Sequence, residues 1–119
     1  MNESILTSIK KHLGLPEDYE HFDLDIIDHI NTTFSILCQL GVGPEEGFFI
    51  SDKTSVWSDF ITDSDPRLNM VISYMEKKVK LMFDPPLSNA VMEATNKIIA
   101  ELEWRLNVQV DPKEEEQNA

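Results

Sequence analysis

The feature that most constrains this chain is a three-four recurrence of apolar side chains in its last third, residues 83–110, FDPPLSNAVMEATNKIIAELEWRLNVQV. Val91, Met92, Thr95 (through its methyl), Ile98, Ile99, Leu102 and Leu106 fall on one side of a helix, and that side needs a partner surface. The other side carries Glu93, Lys97, Glu101 and Arg105, acid before base at four-residue spacing, the order that favours an exposed helical face. Asp84, Pro85 and Pro86 stop the preceding segment and preset a helix start, with Ser88 as a second N-cap. Trp104 lies off the apolar stripe among the wet residues. Its amphipathic ring serves there either as a flank of the core or as an anchor for a partner.

Shorter helical periods precede this segment. Ile5, Leu6, Ile9 and Leu13 form a stripe that stops at Gly14-Leu15-Pro16, a C-terminal glycine followed by a hydrophobe and a breaker. Asp23 reads as an N-cap, with Phe22 and Ile27 placed as a hydrophobic staple, and opens a second helix. That helix carries Ile26, Ile27, Ile30, Phe34, Leu37 and Cys38 inward and ends at Gly41-Val42-Gly43-Pro44. Between residues 42 and 55 the period disappears, and Gly47, Phe48, Phe49 and Ile50 suggest a brief strand or an extended arm. Val56, Trp57, Phe60 and Ile61 resume helical spacing for one or two turns after Thr54 or Ser55. Asp65-Pro66 then opens a helix with Leu68, Val71, Ile72, Met75, Val79 and Met82 on one stripe, running up to Phe83.

These periods predict an all-α fold, a small helical bundle of four to five helices with one irregular central loop or short extended arm. Residues 1–110 form the helical domain. Residues 111–119, with Glu114, Glu115 and Glu116 in a row, lack the apolar content to offset ordering entropy and are expected to be a disordered acidic tail. A length of 119 residues fits one domain with one core. Acids outnumber bases 22 to 10, for a net charge of -12. That field repels free nucleic acid and anionic lipid, which argues against a free-standing nucleic-acid binder. The single Cys38 cannot form an internal disulfide and reads as a small buried hydrophobe, in keeping with a reducing cytoplasm. No signal sequence opens the chain and no apolar run is long enough for a membrane span, so a soluble protein is expected.

Catalytic and metal-binding patterns are weak. His21, Asp23, Asp25, Asp28 and His29 have the composition of metal ligands, and Asp25 and His29 share a helix face, but the spacing matches no metal motif. Capping and the helix macrodipole explain acids at a helix start without a metal. Asp59, Asp63 and Asp65 read as a solvated edge. Glu101 and Glu103 point to different helix faces, which disfavours a Mg²⁺-dependent nucleotide hydrolase. No phosphate loop or nucleophile elbow is present. The expectation is a non-enzyme without cofactor, metal or catalytic residues.

Two groups suggest binding. Lys77, Lys78 and Lys80, near the end of a helix, fit the negative end of its dipole, or a contact to an acidic partner or a DNA phosphate. Phe48, Phe49, Ile50 and Trp57 lie in or beside the region without helical period. They form either a satellite cluster sealing one end of the bundle or, the expectation here, a contact to another subunit or a partner protein, with Trp104 as a further interface position.

The pieces ILTSIKKHLGL, LCQLGVGPEEGF and FDPPLSNAVMEATNKIIAELEWRLNV together resemble the head-tail connector (head-completion, DNA-packaging adaptor) proteins of long-tailed bacteriophages and prophages. The resemblance runs from Ser4 to Val110 and rests on helix order, the Gly-x-Gly-Pro turn and the closing helix rather than on a catalytic motif. It implies a virion protein made in the bacterial host cytoplasm. Its copies, commonly twelve, would form a ring beneath the portal protein, extend the DNA channel without sequence-specific binding, and dock the next connector or tail-completion protein. A reading of a different class is a small acidic helical regulator or DNA mimic, which the net charge would also suit.

Overall fold

The computed structural model describes residues 3–108. Four α-helices, α1 (Ile5–His12), α2 (Asp23–Gln39), α3 (Leu68–Phe83) and α4 (Asn89–Val108), and one 3₁₀ turn at Trp57–Asp59 make up its regular structure. Among the described residues there is no β-strand, only an isolated antiparallel bridge between Ser4 and Val56. The all-α bundle expected from the apolar periods is the observed fold. The expected acidic tail, 111–119, lies outside the described residues.

Each helix start has a local cause, and three of them refine the sequence expectation. At α1 the Ser4 hydroxyl accepts from the Thr7 amide at 3.2 Å, an ordinary N-cap. At α2 Asp23 is not the cap: it is the first helical residue, and Phe22 takes the cap position without a side-chain bond. The Asp23 carboxylate is drawn instead to Lys10 Nζ at 2.9 Å. At α3, Asp65 accepts from the Arg67 backbone amide at 2.9 Å and holds its guanidinium through Oδ2 at 2.8 Å, so residues 65–67 form a turn and the helix begins at Leu68. At α4 the Pro85-Pro86 pair delays the start to Asn89, and the Ser88 hydroxyl faces the Val91 amide at 3.4 Å.

The apolar stripes meet in one core. Ile5, Leu6 and Ile9 of α1, Ile26, Ile30, Phe34 and Leu37 of α2, and Leu68, Val71, Met75 and Val79 of α3 are all buried. α2 packs chiefly on α3, α1 contacts both, and α4 lies against α3. The central segment closes the near end. Its expected strand is absent among the described residues; Ile50 is held instead by the side chain of Asn31, which accepts from the Ile50 amide at 2.8 Å and donates to its carbonyl at 3.0 Å. That pair of bonds gives the segment what a neighbouring strand would have supplied.

The expected short helix over 56–61 shrinks to a single 3₁₀ turn, because Trp57, Phe60 and Ile61 all turn into the core. Phe34, Phe48 and Phe60 pack there edge-on or tilted, at centroid separations of 4.9 Å (Phe34–Phe48), 4.6 Å (Phe34–Phe60) and 5.4 Å (Phe48–Phe60), and the Trp57 indole donates to Ser8 Oγ at 3.1 Å. Gly43, with φ +94°, lies where an added Cβ would stand 2.4 Å from the Phe60 ring. The Gly-x-Gly-Pro turn is therefore a packing device: only glycine permits both the backbone conformation and the approach of the ring.

Candidate functional site

With no catalytic constellation indicated by the sequence, the informative sites are surfaces that the protomer leaves uncovered. α4 provides one. Of its 20 residues only Ile99 and Leu106 are buried, and residues 89–91 and 96–98 are exposed. A second link to α3 is polar: the buried Tyr74 hydroxyl donates to Glu103 Oε2 at 2.6 Å. Burial and the neighbouring carboxylate both push the Tyr74 phenol well above its ordinary range. The far end of α4 is tied by Asn107, whose amide donates to the Leu40 carbonyl at 3.4 Å.

The apolar stripe of α4 is thus only partly used within the protomer. Ile99 and Leu106 join the core, while Val91 is 51% and Ile98 44% exposed. Val91, Ala94 and Ile98, at i, i+3 and i+7, share a strip of the helix surface. Leu87, in the turn leading into α4, is fully exposed. Trp104, 62% exposed, projects on the side away from Ile99 and Leu106.

The second uncovered surface lies on α2 and the central segment. Of the four aromatic and aliphatic residues expected there as a contact, Ile50 and Trp57 are buried and Phe48 is half-buried against Phe34 and Phe60. The protomer core consumes all three, because the Asn31 clamp turns Ile50 inward and the extended backbone then turns Phe49 outward. Phe49 alone is presented to solvent, 73% exposed. Leu24, 83% exposed in the first turn of α2, shares a shallow groove with Ile27, Asp52 and Lys53 just beyond it. Leu24 escaped the sequence reading because it lies off the inward stripe between two acids; an isolated leucine on a wet face was the available signal.

The lysines do not converge. Lys80 pairs with Asp84 at 2.8 Å and Lys77 donates to Ser73 Oγ at 3.0 Å, whereas Lys78, one residue on, projects from a different side of α3. Several other bases are also neutralised locally: Lys11 by Glu3, Arg67 by Asp65 and Arg105 by Glu101, at 3.0, 2.8 and 2.9 Å. Lys10 is buried, held between Asp23 and the Glu17 carbonyl, each at 2.9 Å. Among the described residues no three His, Cys, Asp or Glu side chains gather as metal ligands, and no helix is long and apolar enough to cross a membrane. Burial pushes the half-buried Cys38 thiol up, the opposite of what an activated nucleophile needs.

The profile of a family described as phage connector protein matches residues 5–113. The chain belongs to that family. The match spans all four helices of the connector, from the first residue of α1 past the end of α4. Neither the curated proteins nor the solved structures contain a significant match to it. A bacteriophage head-tail connector is a structural part of the virion, and both uncovered surfaces belong to the elements that the family profile covers.

Proposed function

We propose that this connector works as a ring beneath the portal, extending the DNA channel and docking the next connector or tail-completion protein. The observation that carries the reading is α4, a helix of 20 residues of which the protomer buries only Ile99 and Leu106. Helices in proteins owe most of their stability to packing of an apolar face, and a helix left alone in water is marginal. An incompletely packed α4 with Leu87, Val91 and Ile98 exposed is suited to completing its packing on assembly. The reading needs no catalysis and no cofactor.

The charge distribution suits a conduit. The net charge of -12 and the local pairing of Lys11, Lys80, Arg67 and Arg105 with acids leave few free cations to grip phosphates. Duplex DNA would then pass without being held. The test is co-expression of the connector with its neighbouring virion proteins and negative-stain electron microscopy. Ring-shaped density at the portal vertex, lost when the connector is omitted, is expected. Heads that join tails and retain DNA without the connector would overturn the role, and tight binding of duplex DNA by an assembled ring at physiological salt would overturn the conduit argument.

A further inference from the structure

Asp25 and His29, which have the composition of metal ligands, share a strip of α2 with Phe22 at i, i+3 and i+7. That strip borders a shallow groove whose other side is Met82, Phe83 and Asp84 at the end of α3. No third ligand joins them to hold a metal among the described residues; rings form the walls instead. Phe22 meets Phe83 edge to face at 5.2 Å, and Tyr19 and His21 brace Phe22 from the α1–α2 linker at 5.9 and 4.8 Å. Both phenyl rings pack partly on the core, so they are held in place before any partner arrives. The formal charges lining the groove are both carboxylates, and neither lysine nor arginine lines it. Asp84 is paired at its margin with Lys80 at 2.8 Å, which largely cancels its field. Asp25 is exposed and makes no ion pair among the described residues, so it supplies the uncompensated charge.

We propose that this groove seats an arginine side chain of a partner protein. A guanidinium is planar and weakly hydrated, stacks on an aromatic face and donates two parallel hydrogen bonds to one carboxylate. Phe22, Phe83 and Asp25 offer that combination on one surface. The aliphatic stem of the arginine has Met82, 37% exposed, to lie along. A lysine ammonium could meet the same carboxylate but has no flat face to lay on a ring and holds its water more tightly. The inference concerns a contact with a different protein and stands apart from the ring reading above.

The test is a nuclear magnetic resonance titration of the isotope-labelled full chain with three capped tripeptides, Gly-Arg-Gly, Gly-Lys-Gly and Gly-citrulline-Gly. It is run at about pH 8, where an imidazole is ordinarily neutral, and about 0.15 M salt. The arginine peptide is expected to shift the amides of residues 19–29 and 82–84 and to saturate with a Kd on the order of 1–10 mM. The lysine peptide should bind more weakly, and the citrulline peptide, which keeps the shape without the charge, should not saturate. Asp25→Asn and Phe83→Leu should each weaken the arginine peptide by about threefold or more. Glu45→Gln, an equal charge change beyond the far end of α2, should alter it by less than about twofold. Circular dichroism melts check that the variants fold; should Phe83→Leu not, Asp25→Asn at its exposed position decides. Shifts spread over the acidic surface, undiminished binding by either groove variant, or an equal loss in Glu45→Gln would overturn the site. A lysine or citrulline peptide that binds as tightly as arginine would overturn the choice of a guanidinium. None of these results bears on ring formation, which is read at the portal vertex.

Discussion

Gly43→Ala isolates the contact on which the closure of the bundle depends. The glycine holds φ +94°, and a Cβ built there would lie 2.4 Å from Phe60 Cε1 and 2.6 Å from Cζ. The left-handed conformation costs an L-residue about 1–2 kcal/mol. Displacing a buried ring that is packed against Phe34 and Phe48 adds about 1–3 kcal/mol of overpacking. Loss of unfolded-state freedom on going from glycine to alanine returns about 0.4–1 kcal/mol. The net cost is about 1–5 kcal/mol, a large share of the 5–15 kcal/mol typical of a domain, and it should lower the melting temperature by on the order of 10 °C. Urea titration followed by circular dichroism measures it directly. Phe60→Leu removes the two closest ring atoms, so in that background Gly43→Ala should cost only about 1 kcal/mol, the conformational part alone. Equal costs in both backgrounds, or no cost in the parent, would refute the reasoning.

Trp57→Ala, which empties a buried site and removes the indole bond to Ser8, should destabilise the monomer by about 3–5 kcal/mol, whereas Phe49→Ser should shift it by no more than about 0.5 kcal/mol; thermal melts that rank them the other way would place Phe49 in the core. Asp23→Ala leaves Lys10, with a side chain only 3% exposed, as an uncompensated buried charge. It should cost about 3–5 kcal/mol, with Lys10→Met costing less, and denaturant melts of the two variants decide it. Because the folded state holds the Tyr74 proton more tightly than the unfolded chain, its stabilising effect is complete below the ordinary phenol value of about 10 and declines as pH rises above it. Melts of the parent and Tyr74→Phe from neutral pH upward should show a steeper alkaline loss in the parent, and parallel curves would count against the buried Tyr74–Glu103 bond.

The helices were legible in the sequence because an amphipathic period is a local property. Most of the inward stripes of α1, α2 and α3 could be read from spacing, though Met82, expected inward, is exposed and the buried Tyr74 was missed; glycine and proline breaks located the helix ends. Helix starts were less legible, since capping competes with tertiary partners: Asp23 has the residue type of a cap, but Lys10, thirteen positions away on another helix, takes its carboxylate. The central segment was the least legible. Phe48, Phe49, Ile50 and Trp57 are alike in composition, and nothing local distinguishes the three that pack inward from the one that faces water. The Asn31 side chain makes that choice across nineteen residues. The sequence by itself determined the fold class, the acidic field and the need of α4 for a partner. Only the tertiary structure decided how much of that need the protomer meets, because the core takes up Ile99 and Leu106 and Tyr74 of α3 holds Glu103, while Val91 and Ile98 remain exposed.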